Sequence, residues 1–342
     1  MKRIKIFIIA IFTLCFTTGC FFKRDNMENI NIYTTIYPLN YLTTYLYGEY
    51  AKVHSIYPTG VTVSEFNLSE KKLNEYAKSD LFIYNGLDKD RDYAVKMVNL
   101  NENLKIIDTS ISVTYDYSVS ELWLNPNNYL MMAQNIKDGL NEYITNPYIL
   151  TEINTKYEEL NKSLSKLDAN LKESLKYSTY KTLVVDTDAL KYLENLLTDK
   201  SITIISLDNT EEVNITYTVK KDDTLDKIAK KYNVTIDSII KQNNLTDNKI
   251  HEGLTLEITM KTISTNNLNK VKKLIQDKEI KYIYSLTTTT NNTVKDLIDE
   301  YNLELVTLND MNTVDGGVTN SNENYLTIMN NNIDLLKKEL YK

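Results

Sequence analysis

The sequence predicts an α/β protein with two lobes joined by a long helix, and with a small module inserted in the second lobe. Short apolar strands alternate with helical patterns before residue 108, and the alternation resumes after residue 181. An apolar stripe at helical spacing separates the two series, and a strand–helix–helix–strand pattern interrupts the second. Because alternating strands and helices favour parallel sheets covered on both faces, each lobe is predicted to contain one.

These patterns also place the domain boundaries. The predicted parts are a leader at 1–20, an N-terminal lobe at 28–148, a linking helix at 149–178, a C-terminal lobe at 179–214 and 262–342, and the inserted module at 215–260.

The first 20 residues have the pattern of an export signal. A positively charged start precedes the apolar run 6–16, which is shorter than the roughly 20 residues that a membrane-spanning helix needs. Thr17-Thr18-Gly19 then leads to Cys20, which resembles a bacterial lipobox, although Thr17 stands where that pattern prefers Leu. The resemblance implies lipidation of Cys20 and anchoring at the extracytoplasmic face of the cell membrane. An ordinary secreted protein and an uncleaved anchor are the alternatives.

Composition excludes several function classes. Beyond Cys20 the chain contains no cysteine, so thiol catalysis and a cysteine-based zinc site are excluded. Removing the leader changes the formal net charge from −7 to −10, and an acidic body without a basic patch argues against nucleic acid as a partner. No Ser-His-Asp set, phosphate-binding Gly-rich loop or His-Glu-x-x-His motif is visible. The sequence therefore predicts a protein that is not an enzyme.

In the N-terminal lobe, apolar runs and breakers define the elements. Pro58 and Gly60 end one strand, and Asn85-Gly86 turns the chain after another. The predicted elements are strand 30–37, helix 41–46, strand 53–57, helix 69–78, strand 81–84 and strand 104–107.

The linking helix is predicted from one continuous stripe. Its apolar residues fall three or four positions apart, at Ile149, Ile153, Tyr157, Leu160, Leu164, Leu167, Leu171 and Leu175. Such a helix is roughly 40 Å long at 1.5 Å per residue. A coiled coil is the alternative, but fewer than four clean heptads and its place between two α/β series favour a link between lobes.

The second series contains more elements than the first. They are strand 182–185, helix 190–197, strand 202–207, helix 268–276, strand 282–285, helix 294–301, strand 304–308 and an amphipathic helix at 324–340.

The inserted pattern consists of strand 217–219, helix 224–232, a helix from 234 to 241 and strand 254–258. It resembles a LysM domain, a module that binds N-acetylglucosamine-containing glycans such as peptidoglycan. The matching letters are Tyr217-Thr218-Val219, Asp223-Thr224-Leu225, Ile228-Ala229, Tyr232-Asn233-Val234, Ile239, Asn243, Leu245, Ile250, Gly253 and Leu256. One departure is Asp222, where the family usually has Gly.

The LysM resemblance implies a shallow sugar groove between two loops. Its candidate residues are Asp222, Asp223, Thr224 and Leu225 in the first loop, and Asn244, Leu245 and Ile250 in the second. The alternative is that Asp223-Thr224 only caps the first helix and that the Asn residues only make turns. Capping and binding are compatible.

The rest of the chain resembles the zinc and manganese receptors that feed ABC transporters, the TroA-like family. The resemblance rests on Thr34-Thr35-Ile36-Tyr37-Pro38-Leu39, on Asp80-Leu81-Phe82-Ile83-Tyr84-Asn85-Gly86-Leu87, and on Glu-Leu-Trp-Leu-Asn-Pro at 121–126. It implies a two-lobed receptor fold, a divalent metal ion (zinc or manganese) as the transported ligand, and an ABC permease as partner.

The ligand positions implied by this resemblance carry different residues here. The family's histidines fall on Ser64 and Glu121, its third ligand falls on Thr187, and its last acidic ligand falls on Asn309 or Asp310. His54 and His251 are the only histidines, and neither lies at these positions, so an imidazole-based zinc site is excluded.

Three readings of these positions stay open. Glu121, Asp186 or Asp188, and Asp310 are oxygen donors that suit Mn²⁺ or another hard ion. The favoured alternative is that they are solvated or capping carboxylates around an empty cleft. A cleft lined by Ser64, Glu121, Trp123, Thr187 and Asn309 would suit a different small solute, with Trp123 as core packing.

Two functions follow from these resemblances. One is solute capture for a metal-type ABC transporter by a lipid-anchored receptor that also binds peptidoglycan through its LysM module, with the metal site degenerate. The other is a non-transporting lipoprotein that binds or anchors to cell-wall N-acetylglucosamine glycans on a receptor scaffold. The altered ligand positions favour the second function, and the intact receptor pattern favours the first.

Overall fold

A computed structural model describes residues 27–58, 60–61, 63, 66–114, 121–246, 249–312 and 323–342. The leader with Cys20 and the candidate residue Ser64 lie outside these ranges. Within them, no helix is both long and apolar enough to cross a membrane. The described residues form two compact units: those of unit 1 fall within Met1–Val113, Leu130–Lys162 and Asn312–Gly316, and those of unit 2 within Thr114–Tyr129, Ser163–Met311 and Gly317–Lys342.

Unit 1 is built on a parallel sheet of four strands, in the order β2-β1-β3-β4. The strands are β1 (Ile30–Thr34), β2 (Ala51–Ser55), β3 (Leu81–Tyr84) and β4 (Lys105–Asp108). All four residues of β3 are buried, as expected for an inner strand of a covered parallel sheet. The helices along this part of the chain are α1 (Tyr37–Tyr47), α2 (Glu70–Tyr76), α3 (Asp88–Leu100), α4 (Pro126–Tyr143) and α5 (Pro147–Lys176), and the first residues of α4, up to Tyr129, belong to unit 2.

Two differences from the predicted elements of unit 1 have local causes. The first strand ends at Thr34 rather than 37, because Pro38 lies in the first turn of α1, where its fixed φ favours a helix. The helices α3 and α4 were not predicted. The helix α3 begins with the charged run Asp-Lys-Asp-Arg-Asp, so its apolar pattern is not evident in the sequence. Its apolar residues Tyr93, Ala94 and Met97 are nevertheless buried.

The predicted long helix is confirmed as α5, which has 30 residues. Its apolar stripe is buried over the full length, from Ile149 to Leu175. The first part of α5 belongs to unit 1 and the remainder to unit 2, because the division falls after Lys162.

Unit 2 contains a second parallel sheet of four strands, in the order β10-β9-β5-β6. The strands are β5 (Thr182–Val185), β6 (Thr203–Ser206), β9 (Tyr282–Ser285) and β10 (Glu304–Thr307), and the α-helices around them are α8 (Thr265–Gln276), α9 (Asn292–Tyr301) and α10 (Tyr325–Leu340). Two 3₁₀ helices, Leu122–Leu124 and Asp188–Asn195, lie beside each other in this unit. The second of them replaces the α-helix predicted at 190–197.

The inserted module has the predicted strand–helix–helix–strand order. Its helices are α6 (Leu225–Tyr232) and α7 (Ile236–Gln242), and its strands β7 (Asn209–Thr218) and β8 (Thr255–Ile263) pair antiparallel. Tyr217, Leu225, Ile228, Ile239 and Leu256 belong to a hydrophobic core of its own. The strand pairing continues to Asn209 and Ile263, and Ile263 is buried in the core of the parallel sheet. A two-stranded ribbon, formed by β7 and β8, therefore joins the module to the parallel sheet of unit 2.

Candidate solute site and candidate glycan loops

The carboxyl end of the unit 2 sheet carries a polar cluster at the point where the strand order reverses. β5 and β9 are neighbours whose connections run in opposite directions, and open α/β sheets bind ligands at such a point. Asp186 follows β5, and Ser285 ends β9. Burial raises the pKa of Asp186 to about 6; the hydrogen bond with Ser285 opposes this shift, and the charge of Asp208 adds to it. Burial therefore makes the charged form of Asp186 less favourable than at an exposed carboxylate, but a pKa of about 6 leaves it mostly charged at neutral pH.

Thr187 and Asp188 have structural partners. The Thr187 hydroxyl accepts a hydrogen bond from the Ala189 N–H at 3.2 Å, so it caps the second 3₁₀ helix. The Asp188 carboxylate accepts from the Ser206 hydroxyl at 2.6 Å and pairs with Lys191 at 2.7 Å. Both side chains at this predicted ligand position thus stabilise the start of one helix, and the Asp188 charge is already balanced.

Trp123 connects two other candidate positions within unit 2. Its ring is 1% exposed, and its indole N–H donates to the backbone oxygen of Asp310 at 2.8 Å. The Tyr325 hydroxyl donates to the backbone oxygen of Trp123 at 2.6 Å, and the Tyr325 ring stacks on Tyr129. The prediction that Trp123 packs in the core is confirmed. Glu121, half-buried, is the residue before this 3₁₀ helix, and its side chain does not cap it.

The loop after β10 is held by α10. Asn332 accepts from the Asn309 N–H and donates to the Asn309 carbonyl, both at 2.9 Å. The Asn309 side chain accepts from the Met311 N–H at 2.8 Å, and Met311 has a φ of +61°. Asn332 and Tyr325 are not among the site residues predicted from the sequence. For Asn332 a signal was present, because an Asn on the apolar face of an amphipathic helix needs a buried polar partner.

The structure therefore brings the Glu121 segment and the Asn309-Asp310 loop together through Trp123, and places Thr187 on the adjoining 3₁₀ helix. A cavity of unit 2 near these loops is lined mainly by apolar side chains, among them Leu124, Leu190 and Leu308. Across the described ranges, no group of three or more His, Cys, Asp or Glu side chains is arranged to hold a metal ion. The side chains at Glu121, Thr187, Asn309 and Asp310 offer carboxylate, hydroxyl and amide oxygens and no imidazole.

The first candidate glycan loop is internally bonded. Asp223 accepts hydrogen bonds from the Tyr217 hydroxyl at 2.7 Å and from the Lys220 N–H at 2.8 Å. Both bonds lower the pKa of Asp223, and the bond from Lys220 contributes most. The Thr224 hydroxyl accepts from the Lys227 N–H at 3.2 Å and caps α6. Leu225 is buried in the module core. Thr224 therefore caps α6, and this cap is compatible with both interpretations of the loop.

The second candidate loop lies at the same end of the two-stranded ribbon, because the ladder there ends with Thr218 opposite Thr255. Asn244 has a left-handed φ of +51°, and the Leu245 N–H donates to the Ile240 carbonyl at 3.0 Å. Leu245 and Ile250 are half-buried against the module core. These two aliphatic side chains are suited to pack on a methyl group. Residues 247–248 lie outside the described ranges.

Solved structures with the same fold include two bacterial proteins. The Zn(II)-bound ZnuA-like domain of AdcA from Streptococcus pneumoniae has a TM-score of 0.63 and 18% identity, with 92% of this chain and 100% of that chain covered. The metal-dependent lipoprotein YcdH from Bacillus subtilis has a TM-score of 0.64 and 16% identity, with the same coverage. The chain thus has the two-lobed α/β fold of these proteins, as the sequence predicted.

Sequence comparison identifies the family. The family model for ZnuA, "Zinc-uptake complex component A periplasmic", matches residues 32–259. A metal ABC transporter substrate-binding lipoprotein of Lactococcus lactis is 27% identical over 231 residues, covering 62% of this chain and 73% of the relative. The zinc-binding lipoprotein AdcA of Streptococcus pneumoniae strain R6 is 23% identical over 217 residues, covering 56% of this chain and 42% of AdcA.

The chain belongs to the ZnuA family of metal ABC transporter solute-binding proteins. It is therefore a solute-binding lipoprotein of the extracytoplasmic membrane face and not an enzyme, and these predictions are confirmed. The LysM resemblance and the individual site residues stay predictions.

Proposed function

We propose that this receptor has a degenerate metal site and carries a peptidoglycan-binding module. The main support for a degenerate metal site is that residues at or beside the family's ligand positions have structural partners. Thr187 caps a helix, and the Asn309 side chain holds the backbone of its own loop. Asp188, next to Thr187, is neutralised by Lys191.

The carboxylates at these positions favour a weak oxygen site over a zinc site. Glu121 and Asp310 are carboxylates, and burial raises the pKa of a third carboxylate, Asp186, to about 6. Zinc sites in proteins use imidazole or thiolate ligands, with carboxylate as a supplement, whereas an oxygen-only set suits Mn²⁺ or another hard ion. Any divalent metal delivered to an ABC permease is thus bound here with the low affinity of an incomplete oxygen set.

Metal analysis tests this part. We expect the chain without its leader, purified from cells supplied with zinc, to contain far less than one zinc per molecule when measured by mass spectrometry. Released Mn²⁺ is measured in the same sample. One tightly bound zinc per molecule, retained through dialysis against a weak chelator, would contradict the degenerate site.

The glycan part rests on the geometry of the module. It has its own hydrophobic core, and the loops that the LysM resemblance assigns to sugar binding lie at one end of the same ribbon. The first loop would supply backbone groups for the acetamido group of N-acetylglucosamine. Leu245 and Ile250 would supply apolar contact for its methyl group. Peptidoglycan is accessible to a protein at the extracytoplasmic face of the cell membrane, so this partner is compatible with the location of the protein.

The alternative function is a non-transporting lipoprotein that only binds or anchors to the cell wall. The loss of the ligand set favours it, because a receptor without cargo needs no permease. Metal uptake by cells that lack this protein distinguishes the two: reduced manganese or zinc accumulation supports the transport function, and unchanged accumulation supports the anchoring function.

A further inference from the structure

The turn of the first glycan loop has an unusual backbone. Asp222 is exposed and has a φ of +66°, the left-handed conformation that favours glycine. Asp222 stands where the LysM pattern usually has Gly, and its backbone has the conformation that a glycine adopts readily. A residue with a Cβ populates this conformation poorly in isolation, so other contacts of the loop must hold it.

Two contacts hold the turn from opposite sides. The Lys227 ammonium group donates to the backbone carbonyl of Asp222 at 2.9 Å, from the first turn of α6. On the other side, Asp223 accepts from Tyr217 and from the Lys220 N–H, and the Asp223 N–H donates to the Lys220 carbonyl at 3.2 Å. Asp223 thus anchors the loop to β7, and Lys227 fixes the carbonyl of the strained residue itself.

We propose that Lys227 is a positioning residue for glycan binding: it replaces the missing glycine by holding Asp222 in the left-handed conformation that presents the loop backbone to the sugar. This role rests on the proposed glycan function of the module. A preformed loop avoids an ordering cost on binding, so the bond acts on affinity even though Lys227 does not touch the sugar.

A set of matched variants tests this role in the full chain without its leader. Lys227→Met removes the ammonium group and keeps the apolar stem. Lys230→Met is the control, because Lys230 lies on the same helix, is exposed, and pairs with the Asp226 side chain at 2.8 Å rather than with the loop. The double variant Asp222→Gly/Lys227→Met provides the rescue, since glycine adopts a positive φ without support.

Binding is measured by calorimetry with the β-1,4-linked pentamer of N-acetylglucosamine. We expect Lys227→Met to weaken binding about threefold, the scale of one solvent-exposed charged hydrogen bond, while Lys230→Met binds as the unchanged chain does. The double variant is expected to regain the affinity of the unchanged chain. A purely structural contribution of Lys227 to the helix would not be rescued by a glycine in the loop.

The outcomes separate the two claims. If the unchanged chain binds the pentamer but Lys227→Met binds equally well, or if Asp222→Gly fails to restore binding, the positioning role is wrong and the glycan function stands. If the unchanged chain does not bind the pentamer, the glycan function fails and the positioning role fails with it.

Discussion

Replacing Glu339 by Ala is expected to lower the free energy of unfolding by about 3–5 kcal/mol, the cost of removing one partner from a buried ionic group. Glu339 lies near the end of α10 and is fully buried. One carboxylate oxygen accepts from the N–H groups of Lys281 and Tyr282, at 3.0 and 2.9 Å, and the other pairs with Lys342. The substitution leaves two backbone donors at the start of β9 without their acceptor.

Chemical denaturation of the full chain, followed by tyrosine and tryptophan fluorescence, measures this effect. Glu304→Ala is the matched control, because Glu304 pairs with Lys281 at 2.7 Å but is 55% exposed. An exposed pair contributes about 0–1 kcal/mol, so the control should unfold almost as the unchanged chain does. Equal stability of the two variants would show that Glu339 does not hold β9 in place.

Removing the inserted module is expected to abolish sedimentation of the chain with purified peptidoglycan. The ribbon suggests where to cut: Glu212 pairs with Lys261 across the two strands, so residues 213–260 can be replaced by Asn-Gly, a turn that closes antiparallel pairs. The core residue Ile263 stays in place, and the shortened chain is expected to keep the melting temperature of the full chain while its helical circular dichroism falls only by the share of α6 and α7.

The shortened chain and the full chain are compared at the same concentration, with a cellulose pellet as the control for trapping. Loss of sedimentation with an unchanged melting temperature supports the glycan role. If the shortened chain sediments with peptidoglycan as the full chain does, another surface binds the wall and the module has a different function.

The inner elements of both sheets were predictable because their signals are local. The strands β3, β5 and β9 have the predicted bounds, since each is a short apolar run flanked by turn residues. The stripe of α5 is equally explicit. The length of the ribbon was underestimated, because its first strand begins at Asn209 rather than at the predicted residue 217. Glu211, Glu212 and Asn214 are polar residues on exposed strand positions, where pairing depends on the partner strand rather than on burial.

The site was predictable only in part. The sequence predicts Glu121, Thr187 and Asn309-Asp310 as site positions by their place in a family pattern. Thr187 caps its own helix, but the contacts of Asn309 and Asp310 depend on distant residues. Asn332 bonds with Asn309 across 23 positions, and Trp123 reaches Asp310 across 187. Such contacts are fixed by the packing of α10 on the sheet, which no local spacing encodes.

Titration of the chain without its leader with Zn²⁺, followed by calorimetry, tests the central claim most directly. The structure predicts no saturable binding tighter than about 1 μM, because a carboxylate set without imidazole or thiolate lacks the ligands that zinc prefers. Mn²⁺ is titrated in parallel and is expected to bind no more tightly. A single Zn²⁺ site with nanomolar affinity that is lost on Glu121→Gln would contradict the degenerate metal site and would show that this protein binds zinc tightly.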